Sequence, residues 1–134
     1  MFAIDTADPT PIYAQLERSI RAAIAAGRLG VGDRLPTVRQ LAVDLRINAN
    51  TVAKVYAELE RAGVLATQRG IGTFVRDTPP PAGPTARRDR ERELRPLVER
   101  LLADASAIGI GLPEILQFLE SLTARGTNAT KEKT

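Results

Sequence analysis

Between Pro11 and Gly27 the apolar residues Ile12, Leu16, Ile20 and Ile24 recur at every fourth position, Ala23 widens their stripe, and Glu17, Arg18 and Arg21 fall outside it. This spacing predicts an amphipathic helix closed by Gly27. The next stretch carries Gly30, Gly32 and Asp33 and ends in Leu35-Pro36, where the residue before proline is biased to extended backbone, so a very short strand is expected there. Thr37 is placed to cap a second helix with Val38, Leu41, Ala42 and Leu45 on one face and Arg39, Gln40 and Asp44 off it. The pattern breaks at Arg46-Ile47. A third helix is expected from Asn48, a favoured N-cap, to Ala62, with Val52, Val55, Tyr56 and Leu59 turned inward and Gly63 just past its end.

Two short helices joined by so tight a connection describe a helix-turn-helix. The residues that follow predict its variety. Val64 to Gln68 and Thr73 to Arg76 read as strands, Leu65 and Phe74 are expected to point into the core, and Arg69-Gly70-Ile71-Gly72 supplies the glycines of a hairpin tip. The fold class is therefore mostly α: a winged helix-turn-helix of three helices and a β-hairpin wing over residues 1–78. Pro79, Pro80, Pro81, Gly83 and Pro84 then mark a stiff linker over 79–85.

Beyond the linker, residues 86–126 read as a two-helix region. Leu94, Leu97, Val98, Leu101, Leu102, Ala105 and Ile108 make one helical stripe, on a helix expected to start near Ala86 and kink at Pro96. Leu112, Ile115, Leu116, Leu119 and Leu122 make a second, with Gly109 and Gly111 between the two. Residues 127–134 are expected to be a disordered tail. Two short helices cannot bury both stripes on each other, so Leu94, Leu97, Val98, Leu101, Leu102, Ile108, Leu112, Ile115, Leu116, Leu119 and Leu122 are read as a dimerisation surface. Folding back onto the winged domain is the competing arrangement.

Composition narrows the chemistry. The 134 residues contain no cysteine and no histidine, which argues against disulfides, the usual zinc ligand sets and the commonest general base. No catalytic residue, metal or cofactor is expected. Lys and Arg number 19 against 16 Asp and Glu, so attraction to a polyanion has to come from local clustering. Gly27, Gly30 and Gly32 follow a helix and lack the Lys-Ser/Thr ending of a phosphate loop. With no apolar run near membrane-spanning length and no leader-like start, a cytoplasmic protein without membrane contact is expected.

The outer side of the third helix is the most informative surface. Asn50, Thr51, Lys54 and Arg61 project from roughly one face, and Asn48 joins them at its start. Asn suits adenine or a phosphate oxygen, while Thr and Lys suit phosphates or guanine, as a recognition helix in the major groove requires. Asn48 is equally explained as a helix cap, and the others as solvated residues. Arg39 and the wing-tip Arg69 favour double-stranded DNA, because no core requirement accounts for either.

The runs Leu35-Pro36-Thr37-Val38-Arg39-Gln40-Leu41-Ala42, Asn48-Ala49-Asn50-Thr51-Val52, Leu59-Glu60-Arg61-Ala62-Gly63-Val64-Leu65 and Arg69-Gly70-Ile71-Gly72-Thr73-Phe74-Val75 resemble the GntR family of bacterial transcription regulators over about Pro11 to Val75. The short C-terminal part resembles its YtrA-like subfamily. The resemblance implies DNA contacts at Arg39, Asn48, Asn50 and Thr51, with Lys54 beside them, and a wing tip of Arg69 and Gly70 entering the minor groove. Ala49 and Ile71 depart from the basic residues frequent at these places. It also implies a homodimeric repressor on an inverted-repeat operator, with any small-molecule effector left unidentified. A winged-helix module that binds protein is the alternative.

Overall fold

The structure is a computed structural model that describes the backbone of residues 2–77 and 84–132 and the side chains of 2–77 and 87–123. The chain divides into two compact units. The first holds the described residues up to 77 together with the end of the last helix from Thr123; the second runs to Leu122.

In the first unit α1 spans Ile12–Ala25, α2 Val38–Leu45 and α3 Ala49–Arg61, followed by strands β1 Leu65–Gln68 and β2 Gly72–Val75. The inward faces expected from periodicity make the core: Leu16, Ile20, Val52 and Leu59 are fully buried, and Leu41, Val55 and Tyr56 pack with them. Phe2, which no periodicity flagged, completes it. Gln15 holds the N-terminal segment in place. Its Oε1 accepts the Asp5 N–H at 2.8 Å, and its Nε2 donates to the carbonyls of Asp5 at 3.0 Å and Thr10 at 2.8 Å. A buried amide satisfied on both ends fastens the segment without leaving a desolvated polar group.

α1 and α3 end alike. The residue in the left-handed region is Gly27 or Gly63, and the next N–H reaches back five residues, Arg28 to the Ala23 carbonyl and Val64 to that of Leu59. α2 ends by the same pattern with Ile47 N–H on the Ala42 carbonyl, but its left-handed residue is Arg46, at φ 57° and ψ 48°. That backbone turns the chain from α2 into α3.

β1 and β2 pair antiparallel with Leu65 opposite Val75, Ala66 opposite Phe74, Thr67 opposite Thr73 and Gln68 opposite Gly72. The chain from Gly32 to Leu35 lies along β2, the Leu35 N–H donating to Thr73 and the Val75 N–H to Asp33. The short strand expected at Leu35-Pro36 is thus a single bridge centred on Arg34. The register corrects one expectation. Successive strand residues face opposite sides, so the side that buries Leu65 takes Val75, and Phe74, expected in the core, is only half-buried on the other side.

In the second unit α4 spans Pro84–Ala107 and includes Pro96, and α5 begins at Leu112 and reaches Glu132. The linker expected over 79–85 falls mostly outside the described residues; its last two positions are helical. Pro84 opens α4 because a proline at the first helical position loses no hydrogen bond. α5 passes the point where a disordered tail was expected, since Gly126 costs only ~1 kcal/mol in a helix and no proline follows it. Gly109 ends α4 with the Ile110 N–H on the Ala105 carbonyl, and the chain bends by 114° between Arg87–Ala107 and Leu112–Thr123. At that angle the helices diverge, so among the unit's described residues only Ala105 is buried, while Leu97, Leu101, Ile108, Leu116, Phe118 and Leu119 are exposed. Among the described residues no single helix is long and apolar enough to cross a membrane.

Candidate nucleic-acid interface

The site is assembled from the ends of α2 and α3 and the tip of the wing. Thr37 and Gln40 form a reciprocal cap on α2: Thr37 Oγ1 accepts the Gln40 N–H at 3.1 Å, and Gln40 Oε1 accepts the Thr37 N–H at 2.9 Å. The cap fixes the first turn and leaves Arg39, within it, exposed. The Pro36 carbonyl, just before this cap, accepts the Tyr56 hydroxyl at 2.7 Å. Tyr56 thereby ties α3 to the start of α2, and its burial pushes the phenol up to about 12.

Asn48 is the N-cap of α3, with Oδ1 accepting the Asn50 N–H at 2.8 Å. The two readings of this residue therefore divide between its two ends. The carbonyl end is spent on the cap; the Nδ2 end makes no hydrogen bond among the described residues and is left to donate outward. A side chain so engaged cannot make the paired contact by which Asn reads adenine, but can donate to a phosphate oxygen. Asn50 and Lys54 are exposed on the side of α3 away from Val52 and Leu59, and Thr51 is half-buried at its edge. Arg61, expected on the same face, is drawn into an ion pair with Glu58 at 3.1 Å.

Lys54 is not a loosely solvated lysine. Its Nζ lies 4.8 Å from the centre of the Tyr13 ring, so α1 supplies an aromatic face that restrains the ammonium. Sequence reading passed over Tyr13. It lies beside the apolar stripe of α1, and only its exposure as an aromatic ring could have drawn notice.

At the wing tip the Ile71 N–H donates to the Gln68 carbonyl at 2.9 Å, and Gly70 takes φ +78°. A turn with positive φ at its third residue favours glycine there and leaves Arg69 at the apex, exposed. Arg39, Arg69 and Lys54 have no ion-pair partner among the described residues. The site thus gathers unneutralised cations, amide donors and a protruding hairpin, a combination fitted to a phosphate-lined duplex. Among the described residues no group of acidic, histidine or cysteine side chains could hold a metal ion.

The family model for bacterial regulatory proteins, gntR family, matches residues 12–75, from the start of α1 to the end of the wing. The HTH-type transcriptional repressor YtrA of Bacillus subtilis (strain 168) is 33% identical over 124 residues, covering 92% of this chain and 93% of that protein. Of solved structures, YtrA from Sulfolobus acidocaldarius, a GntR-family transcription factor, superposes with a TM-score of 0.56 at 33% identity over 76% of this chain and 97% of that one. A transcriptional antiterminator from Listeria monocytogenes EGD-e gives a TM-score of 0.59 at 30% identity, covering 90% and 88%. The similarity to YtrA runs through both units and not only the winged domain, and on that basis the chain belongs to the GntR family of bacterial transcription regulators.

Proposed function

We propose that this regulator is a cytoplasmic, homodimeric repressor that binds an inverted-repeat operator through α3 and the wing and catalyses no reaction. The observation that carries the DNA reading is the gathering of Arg39, Asn48, Asn50, Thr51, Lys54, Arg69 and Gly70 on the ends of elements locked together beneath them. Asn50 and Lys54 face base edges, Arg39 and Asn48 hold the phosphate backbone, and Arg69 with Gly70 enters the neighbouring minor groove. The name of the Bacillus subtilis relative supports repression.

The dimer rests on the second unit. A helix pair with its leucines facing solvent exposes more apolar surface than a monomer sustains. A second copy of the same V-shaped pair would cover these stripes around a two-fold axis, and two-fold symmetry in the protein calls for two-fold symmetry in the operator.

Selection of bound sequences from random duplex DNA tests the proposal directly. The expected outcome is an inverted repeat whose half-sites are spaced by about one helical turn, or a multiple of it. Recovery of sequences with no common motif would count against sequence-specific binding, and a single unrepeated half-site would count against the dimer.

A further inference from the structure

We infer that Arg34 is a further ligand for the DNA backbone, held on the outer slope of the wing by the absence of a side chain at Gly72. The inference rests on the reading of the chain as a DNA-binding regulator and adds a contact from outside the helix-turn-helix and the hairpin tip. Arg34 bridges Phe74 in the antiparallel sense, so the two side chains leave the sheet on the same side, the one opposite the buried Leu65 and Val75. Gly72 lies two residues before Phe74 and belongs to that side too.

The guanidinium fills the place a side chain at 72 would take. A Cβ on Gly72 would sit 2.7 Å from Arg34 Nε, closer than two such atoms come, and 3.3 Å from Cζ and 3.4 Å from Nη2, so the guanidinium would have to move aside. Gly72 also takes φ +149°, a backbone that side chains rarely adopt. Glycine at 72 therefore serves two ends, shaping the strand start and letting an arginine lie along the hairpin toward its tip.

No carboxylate pairs with Arg34 among the described residues, and the residue is exposed. An arginine recruited only to stiffen the hairpin would gain from a partner such as Glu or Asp on the facing strand; the residue opposite Gly72 is the neutral Gln68. The result is a cation with no ion-pair partner among the described residues, lying over Gly72 where the strand leaves the hairpin tip. A tip inserted in a groove brings the flanking phosphates down beside the slope of the hairpin, where a guanidinium suits their oxygens.

The test measures binding of the full chain to a mixed-sequence DNA duplex over a range of salt concentrations, for wild type, Arg34→Gln, Arg34→Met and Arg34→Lys. Each phosphate contact contributes about 0.9 to the slope of log affinity against log salt, so losing one weakens binding about eightfold at ~0.1 M salt. Arg34→Gln and Arg34→Met are expected to show both changes, and Arg34→Lys to keep the wild-type slope. Thermal unfolding of each variant identifies any loss of fold. If the neutral variants keep the wild-type slope, even with weaker binding, Arg34 serves the hairpin alone and the inference is overturned. If wild type itself shows no salt-dependent binding to any duplex, the DNA-binding reading falls with it.

Discussion

Asn48 carries two roles on opposite ends of one amide, and substitution can separate them. In Asn48→Asp a carboxylate oxygen replaces Oδ1 as acceptor of the Asn50 N–H, now 2.8 Å away. Asp and Asn cap helices about equally well, and a negative charge at the positive end of α3 adds about 0.3–1 kcal/mol. Asn48→Ala removes the cap at a cost of about 1 kcal/mol, lowering the unfolding temperature of a domain this size by roughly 4–8 °C. The expected stability order is Asp at or above Asn, and both above Ala.

Affinity for DNA takes a different order. Alanine forfeits a hydrogen bond from Nδ2, about 0.5–1.5 kcal/mol. Aspartate forfeits the same bond and adds a charge facing phosphates; at roughly 5 Å, with an effective dielectric between that of water and ~20, repulsion is about 1–3 kcal/mol, a loss of about five- to 150-fold. Binding should therefore rank Asn above Ala and Ala above Asp. Thermal unfolding and fluorescence anisotropy on the selected operator measure both series. If the two rankings coincide, Asn48 acts on DNA only by capping α3, and its place at the phosphate backbone is refuted.

Arg39→Ala should weaken operator and unrelated duplex alike and flatten the salt dependence by about 0.9; an unchanged slope removes Arg39 from the phosphate contacts. Tyr56→Phe leaves the part-buried Pro36 carbonyl without its donor and should cost about 1 kcal/mol in chemical denaturation. The phenol is neutral in the fold up to about 12 but ionises near 10 when unfolded, so wild-type stability should fall as pH rises from 10 to 12. The Phe variant lacks that decline, and an identical alkaline profile would show that Tyr56 is not the group responsible. Arg46→Gly relieves a left-handed backbone and should raise stability by about 0.5–1 kcal/mol; a loss there would mean the side chain contributes more than the strain it imposes. Leu101→Glu combined with Leu119→Glu should give monomers by light scattering with poor operator affinity, and persisting dimers would place the interface elsewhere.

Much of the winged domain was legible because its helices are amphipathic and individually punctuated: Thr37 and Asn48 start α2 and α3, and Gly27 and Gly63 stop α1 and α3. Local pattern fails where the deciding partner is remote in sequence. Phe74 looks as fit for the core as Val75; only register against Leu65 settles which one turns inward. Phe2 lies in no periodic run and depends on Gln15 folding the N-terminal segment back. Arg34 is invisible as a wing residue until the bridge to Phe74 forms. For the candidate site, residue types and their face on α3 were readable, but the occupied Oδ1 of Asn48, the Tyr13 ring under Lys54 and the loss of Arg61 to Glu58 are matters of side-chain geometry.

The bond from Tyr56 to the Pro36 carbonyl has a thermodynamic consequence for recognition. Pro36 stands between the segment that lies along the wing and the cap of α2, and Tyr56 belongs to α3, so scaffold helix, reading helix and hairpin share one anchored point. Ordering backbone on binding costs about 1–2 kcal/mol per residue, and a reading head already fixed in this way loses little of that freedom on DNA. The heat-capacity change on association should then match the surface covered, without the surplus that accompanies folding upon binding. Discrimination between operators would be set by contacts and by the deformability of the duplex, with the rigid partner being the protein.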